Sequence, residues 1–513
     1  MTHIISHAHL SLERLKEILD NHERIALSEE SVDAIVKCRK YLDSKMEDLD
    51  RPVYGITTGF GSLYNVTIPE DELSQLQYNL VVSHACGTGD TVRKEIVRLM
   101  LLLKVQSLSY GHSGVQLQTV QRLLDMYNND IIPVVYQQGS LGASGDLAPL
   151  AHMSLPLLGL GEVYYKGEVR QSADVWKEFG WTPIRLQSKE GLALLNGTQF
   201  MSAHAIWCLI QCMRLSKWSD MIGAMSLEAY DGRIEPFLPL THLLRPHKGQ
   251  IDTAKRFMEV LEGSELIRRE KEHVQDPYSF RCIPQVHGAC RDAIKYVWNA
   301  VSTEINSVTD NPIIFPDEDE AISGGNFHGE PMAMAFDFLK MALSELADIS
   351  ERRQDRMLNG AMSEGLPTFL VKNGGLNNGY MIAQYCAASM VSENKIYAHP
   401  SVVDSIPTSA NQEDIVSMGA TSARTAAMVL DNAQKVLGIE LSTAAQAIWL
   451  RQELGDPVID NLAPGTRAAY DFIRQTVPPV EEDIIMHDQL VLFDEMVKDN
   501  SILEAVEKVV ELI

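Results

Sequence analysis

Residues 139–153 read Gly-Ser-Leu-Gly-Ala-Ser-Gly-Asp-Leu-Ala-Pro-Leu-Ala-His-Met, with Ala143-Ser144-Gly145 at the centre. This tripeptide can turn its own backbone into an electrophile. Attack of the Gly145 amide nitrogen on the Ala143 carbonyl carbon closes a small ring. Loss of water there, and of the Ser144 hydroxyl as a second water, leaves an exocyclic methylene conjugated to that ring. Gly145 has no Cβ, so its nitrogen reaches backbone angles barred to other residues. Ala143 is too small to block closure, and Ser144 carries the leaving hydroxyl. Such an electrophile is an electron sink, which the ordinary side chains do not supply. Two other readings compete for the same residues. A Gly-x-Ser-x-Gly nucleophile elbow needs glycine at position 146, where the chain has Asp146. Ser144 or Asp146 could also cap a helix opening at Leu147-Ala148-Pro149.

Six further polar islands interrupt apolar sequence, and polar groups in buried places must be paired or functional. They are Tyr54-Gly55-Ile56-Thr57-Thr58-Gly59-Phe60-Gly61, Ser83-His84-Ala85-Cys86-Gly87, Leu194-Leu195-Asn196-Gly197-Thr198-Gln199, Gln275-Asp276-Pro277-Tyr278-Ser279-Phe280-Arg281-Cys282, Gly325-Asn326-Phe327-His328-Gly329 and Asn411-Gln412-Glu413-Asp414. Each residue has an ordinary reading: Tyr54 a buried tyrosine, Arg281 a surface ion-pair partner, His84 a helix-end residue, Glu413 a solvated first-turn acid. In this order, with the Ala-Ser-Gly run, the islands resemble the aromatic amino acid ammonia-lyases and aminomutases over about residues 50–455.

The resemblance implies that Ala143, Ser144 and Gly145 form 4-methylidene-imidazol-5-one, with no external cofactor and no metal. It implies a homotetramer with sites built from several subunits, acting on a small amino acid. Tyr54 matches the base for the substrate β-proton, so its phenol is expected to be unusually acidic. Arg281 matches the clamp on the substrate carboxylate. Tyr278, Asn196 and Gln275 match contacts to the prosthetic group and to polar substrate atoms. Phe327 matches an aromatic beside the ring, and Asp146 a residue assisting ring formation. Within the family the pattern is most similar to the histidine-acting members. His84 can bond a substrate imidazole, and Glu413 can pair with its other nitrogen. The reaction so implied is deamination of L-histidine to trans-urocanate; the alternative is a tyrosine- or phenylalanine-acting lyase, or an aminomutase. Thr57-Thr58 is more similar to the latter members, Ile415 stands where histidine is common, and Ile283 replaces a frequent glutamine with His287 in the next turn. A helical scaffold without chemistry would need a defect in the triad or Tyr54, and a fumarase-like lyase lacks its Gly-Ser-Ser-x-Met-Pro-x-Lys loop here.

The elements that position these residues are mainly helical. Apolar periodicity predicts helices over about 28–46, 70–83, 91–108, 115–128, 197–228, 251–264, 286–309, 328–361, 376–398 and 411–452. Pro69 with Glu70, Asp71 and Glu72 opens the second of these, acids favouring the positive dipole end. Val163–Val169 predicts a hairpin turning at Lys166-Gly167. Small residues on several faces of 411–452 argue for a bundle of long rods rather than a two-stranded coiled coil. The fold class expected is mainly α, an L-aspartase/fumarase-like long-helix bundle. A smaller, mostly helical N-terminal domain would span 1–197 and carry the Ala-Ser-Gly loop, and the bundle would span 198–513. His3, His7 and His9 lie outside every island and read as a mobile, solvated terminus.

The 513 residues carry 44 Lys plus Arg against 69 Asp plus Glu, a formal charge of −25. Such acidity argues against nucleic acid and anionic membrane as partners. Residues 191–213 hold no charge, but Asn196, Thr198, Gln199, Ser202, His204 and Gln211 fit a buried soluble helix and not a membrane span. The seven cysteines form no CxxC pair, and the first residues lack a basic region followed by an apolar core, so a reduced, cytoplasmic setting is expected. Cys208 and Cys212 are two ligands too few for structural zinc and read as buried small hydrophobes.

Overall fold

The computed structural model describes residues 1–47 and 54–511. It is mainly helical, with strands only in small two- and three-stranded pieces. The chain forms two compact units, neither continuous in sequence. One comprises Met1–Cys208, Val297–Asp337 and Pro400–Arg424; the other comprises Leu209–Tyr296, Phe338–His399 and Thr425–Ile513. The first crossover lies shortly after Gly197, and two later segments join the N-terminal unit.

In the first unit the helix Lys94–Ser109 is almost wholly buried. Its run of leucines, Ile96 and three valine or methionine positions leaves no polar face, as a central helix requires. The helices Leu73–His84 and Glu190–Leu195 and the short helix Leu147–Ser154 pack with one another. The predicted hairpin forms as Glu162–Tyr165 paired antiparallel with Glu168–Gln171. Its turn residues Lys166 and Gly167 both have positive φ, which matches the right-handed twist of the strands.

The N-terminus is not a mobile tail. Thr2–Ile5 pairs in parallel with Arg24–Leu27, and Ile5 and Leu10 are buried. Asn306 takes the Leu10 N–H at 2.7 Å and donates to its carbonyl at 3.0 Å. His7 Nε2 bonds Ser109 O at 3.1 Å, and its ring lies against Tyr110. A four-residue strand with a parallel partner some twenty residues on leaves no periodic signal in the sequence.

The second unit is built on long helices: most of Gln199–Tyr230, Ile283–Glu304, Glu330–Leu358 and Gly419–Glu453, with Met381–Tyr397. Among the described residues no helix is long and apolar enough to cross a membrane. Cys208 and Cys212 are buried and in no disulfide, as expected of small hydrophobes. His287 is a core residue, its Nδ1 2.8 Å from Asp220 Oδ1. Nearby, the fully buried Arg353 pairs with Glu440 at 2.8 Å through Nη2. These charges are paired because burial alone would be costly.

Candidate active site

The Ala143-Ser144-Gly145 turn immediately precedes the helix Leu147–Ser154. Gly145 has φ +77° and bridges Gly197. Asp146 donates its N–H to Gly197 O at 2.8 Å. A Cβ at 145 would stand 2.2 Å from that same oxygen, so both backbone angle and contact demand glycine. Gly197, at φ +114°, is equally confined by Thr309 and Gln199.

Asp146 holds the cap position of its own helix, where its carbonyl accepts the Leu150 N–H at 3.0 Å but its side chain makes no cap bond. Its Oδ2 instead accepts the Met201 N–H at 2.9 Å, in the first turn of the Gln199–Tyr230 helix. Burial pushes this carboxyl up to about 7, opposed by the backbone N–H bonds from Met201 and Phe200. Its Oδ1 is buried without a partner. Ser144 does no capping either: its hydroxyl donates to Glu413 Oε1 at 3.1 Å.

Glu413 sits on a strained loop. Ser409, Ala410 and Asn411 all have φ between +52° and +68°, angles that cost non-glycine residues and cluster at functional sites. The loop is held by paired Thr408–Glu413 backbone bonds of 2.9 and 3.3 Å. Thr408 Oγ1 also donates to Glu413 Oε2 at 2.8 Å. This loop delays the following helix to Gly419, where periodicity alone predicts a start at 411. The Tyr54 loop docks on it, since a Cβ at Gly61 would lie 2.6 Å from Ser409 Oγ. That first loop closes on itself through Gly59 N to Val66 O (2.9 Å) and Ile68 N to Thr57 O (3.0 Å).

These pieces surround a cavity of about 580 Å³. Tyr54, His84, Ser144, Asn196, Phe327 and Glu413 all line it, with an apolar wall of Leu63, Val66, Leu76, Leu80, Leu192 and Leu195. The volume suits one small ligand. Asn196 is buried and donates from Nδ2 to Asn311 O at 2.9 Å. Its Oδ1 has no partner and remains an acceptor to be filled.

The aromatic amino acid lyase family matches residues 10–475. This chain belongs to that family. It is 48% identical to the histidine ammonia-lyase of Alkaliphilus metalliredigens, over 98% of each chain. Among solved structures it resembles histidine ammonia-lyase from Trypanosoma cruzi, with TM-score 0.89 and 39% identity, covering 99% of this chain and 95% of that one. It also resembles tyrosine aminomutase from Streptomyces globisporus, with TM-score 0.93 and 33% identity over the full length of both. The long-helix bundle expected from the sequence is the fold of this lyase.

Not every expected site residue of the lyase reaches that cavity. Gln275, Tyr278 and Arg281 belong to the second unit and do not line it. Gln275 is exposed, and Tyr278 is 70% exposed. The Arg281 guanidinium lies 4.5 Å from the centre of the Tyr278 ring, and its Nε is buried without a hydrogen-bond partner. Ala143, Gly145 and Asp146 stand behind Ser144 and not on the cavity wall. Thr57 and Ile415, the departures from the histidine-acting pattern, also lie off the wall; Ile415 is 66% exposed.

The electrostatics of the single chain run against one expectation. Burial pushes the Tyr54 phenol's pKa up, and the Glu413 carboxylate adds to the rise against a hydrogen bond with the Gly61 backbone. His84 is pushed down, chiefly by burial, so the neutral imidazole prevails at neutral pH. Its Nδ1 is 3.1 Å from Ser83 Oγ. The sequence reading missed Lys104, which is 2% exposed and donates to Asn196 O at 2.6 Å. It also missed the buried Lys189–Asp310 pair at 2.7 Å, which stands with Asn196. The signal for Lys104 was a lone cation inside Leu99–Val105, otherwise apolar throughout.

Proposed function

We propose that this lyase is a histidine ammonia-lyase that converts L-histidine to trans-urocanate and ammonia. The carrying observation is Glu413, a carboxylate facing the same small cavity as neutral His84. A purely apolar substrate ring would leave that carboxylate desolvated and unpaired, whereas an imidazole brings an N–H to the carboxylate and its other ring nitrogen to His84. The names of the relatives from Alkaliphilus metalliredigens and Trypanosoma cruzi point to the same substrate.

Ala143, Ser144 and Gly145 are assigned to 4-methylidene-imidazol-5-one. The confined, Cβ-free Gly145 and the unpartnered oxygens of Asp146 and Asn196 fit a group formed there. That group supplies the electron sink to which a substrate amine can be attached, making it a better leaving group. The chain's own side chains do the rest. Tyr54 is assigned as the base for the β-proton. Glu413 and His84 orient the imidazole, and Asn196 Oδ1 accepts a hydrogen bond from a substrate N–H. Phe327 and the leucine wall exclude water, which strengthens these contacts. Arg281 is assigned to the substrate carboxylate, with Tyr278 and Gln275 beside it, all contributed by another copy within a homotetramer. Exposed apolar positions Ile382, Tyr385 and Ile396, on one stripe of the Met381–Tyr397 helix, support self-association. The acidic charge, and cysteines that form no disulfide among the described residues, support a cytoplasmic setting without nucleic acid or membrane partners.

The test presents L-histidine, L-tyrosine and L-phenylalanine separately and follows the ultraviolet absorbance of the conjugated acid. Urocanate from histidine alone is expected. Coumarate formation with inert histidine would assign the chain to the tyrosine-acting members instead.

A further inference from the structure

Lys104 is the least expected charge in the first unit. It lies in the middle of a buried helix, and no carboxylate among the described residues forms an ion pair with it. Burying an ammonium without a direct ion pair is costly, and burial pushes its pKa down to about 7 against the pull of the Asp310 and Asp146 carboxylates. Among the described residues its hydrogen bonds run to Asn196 O, at 2.6 Å, and to Gln199 Oε1, at 3.3 Å. Both acceptors flank Gly197, the residue bridged to Gly145. Gln199 is itself tied to Thr309 Oγ1 at 3.0 Å.

We infer that Lys104 is a positioning residue for ring closure, its ammonium fixing the Asn196–Gly197 segment against which the Ser144–Gly145 backbone rests. The inference depends on the reading that Ala143, Ser144 and Gly145 cyclise. In that reaction a bond forms between the Gly145 nitrogen and the Ala143 carbonyl carbon. The Ala143 oxygen leaves as water with the Gly145 and Ser144 amide protons. The Ser144 hydroxyl leaves as a second water with the Ser144 α-proton. The Gly145 amide must therefore be held at one angle to Ala143, and its neighbour on the far side is Gly197. The Asn196 carbonyl has one strong donor, Lys104. Asn196 Nδ2 is fixed independently on Asn311 O, so loss of Lys104 removes the donor from the Asn196 carbonyl while leaving the side-chain anchor.

The test uses the full chain and intact mass. K104M keeps length and removes charge and donor; K104Q keeps a shorter, neutral donor. Each is purified, and its fold is checked by circular dichroism and thermal melting. The wild-type chain is expected to weigh its translated mass less two waters. In whichever variant folds like wild type, the fraction carrying that deficit is expected to fall by about tenfold or more, as small misplacements of reacting groups do. A merely structural lysine would change the melting temperature and leave the deficit intact. A folded variant with the full deficit overturns the inference. So does failure of both variants to fold, since the lysine is then required by the core and not by the turn. A wild-type chain without any deficit would instead refute the cyclisation reading itself.

Discussion

Replacing Glu413 by glutamine separates two effects of one carboxylate. Its Oε2 holds Thr408 Oγ1 at 2.8 Å, and its Oε1 receives the Ser144 hydroxyl at 3.1 Å. If Ser144 loses its hydroxyl on cyclisation, Oε1 loses that donor and is freed for the substrate. Glutamine keeps a carbonyl oxygen for Thr408, so the strained 408–413 loop retains its hold and the melting temperature should move by a few degrees at most. What disappears is the charge. A hydrogen bond to a charged group contributes about 1.5–3 kcal/mol, so kcat/KM for L-histidine should fall about 10- to 150-fold. The second effect runs the other way. Glu413 helps to raise the Tyr54 pKa; without the negative charge the phenol ionises at lower pH. The alkaline-rising limb of kcat should therefore move to lower pH in E413Q, even as histidine is used less efficiently. The assay is urocanate absorbance over a pH series, at saturating and limiting histidine. A variant with wild-type kcat/KM and an unmoved limb would refute the placement of Glu413 at both substrate and base.

Three further outcomes follow from the same geometry. Y54F should lower kcat by about 10²- to 10⁴-fold with little change in KM, read by steady-state kinetics; activity within a few-fold of wild type would remove Tyr54 as the base. G145A places alanine at φ +77° with its Cβ against Gly197 O, a left-handed strain of about 1–2 kcal/mol before the clash; intact mass should show no loss of two waters, and a full deficit would contradict the turn geometry. Asp146, raised from 3.8 to about 7, favours folding in its protonated form, so that contribution is present below about pH 4 and is lost as pH rises through about 7, at most about 4 kcal/mol. D146N should abolish this slope in thermal melts, and parallel wild-type and D146N curves would contradict the burial of an ionisable carboxyl.

Local geometry was legible in the sequence because each island is short and carries its own turn signals. Gly145 could be assigned from its missing Cβ, and the hairpin at Lys166-Gly167 from its turn chemistry. The long helices were legible because 3.6-residue periodicity accumulates over many turns. What failed were features that depend on distant partners. Asp146 looks like a cap for the helix it precedes, yet its carboxylate serves a helix that begins some fifty residues later. The start of the Gly419–Glu453 helix was misplaced because three left-handed residues override a favourable apolar pattern. Tyr54 was expected to be acidic from its assigned task, whereas its pKa depends on which charges surround it. In this chain those surroundings are apolar walls and a carboxylate.

That last discrepancy bears on how the site is assembled. Among the described residues the cavity wall contains one carboxylate and no lysine or arginine. A free amino acid brings its own carboxylate, and both that group and a phenolate base call for a cation nearby. Arg281 has the planar fork for the task and a buried Nε without a partner, but it does not line the cavity of its own chain. If each site takes Tyr54 from one copy and Arg281 from another, the two functions can be separated genetically. Y54F and R281Q chains should each be nearly inactive alone. Co-expressed and randomly assembled, a site is intact when its Tyr54 comes from an R281Q chain and its Arg281 from a Y54F chain, so about a quarter of sites should recover. Recovery is read as urocanate formation by the purified hybrid, with native mass reporting the mixed assembly. A confirmed hybrid with no recovery would place both residues in sites formed by a single chain, and the cation for Tyr54 would have to be sought there.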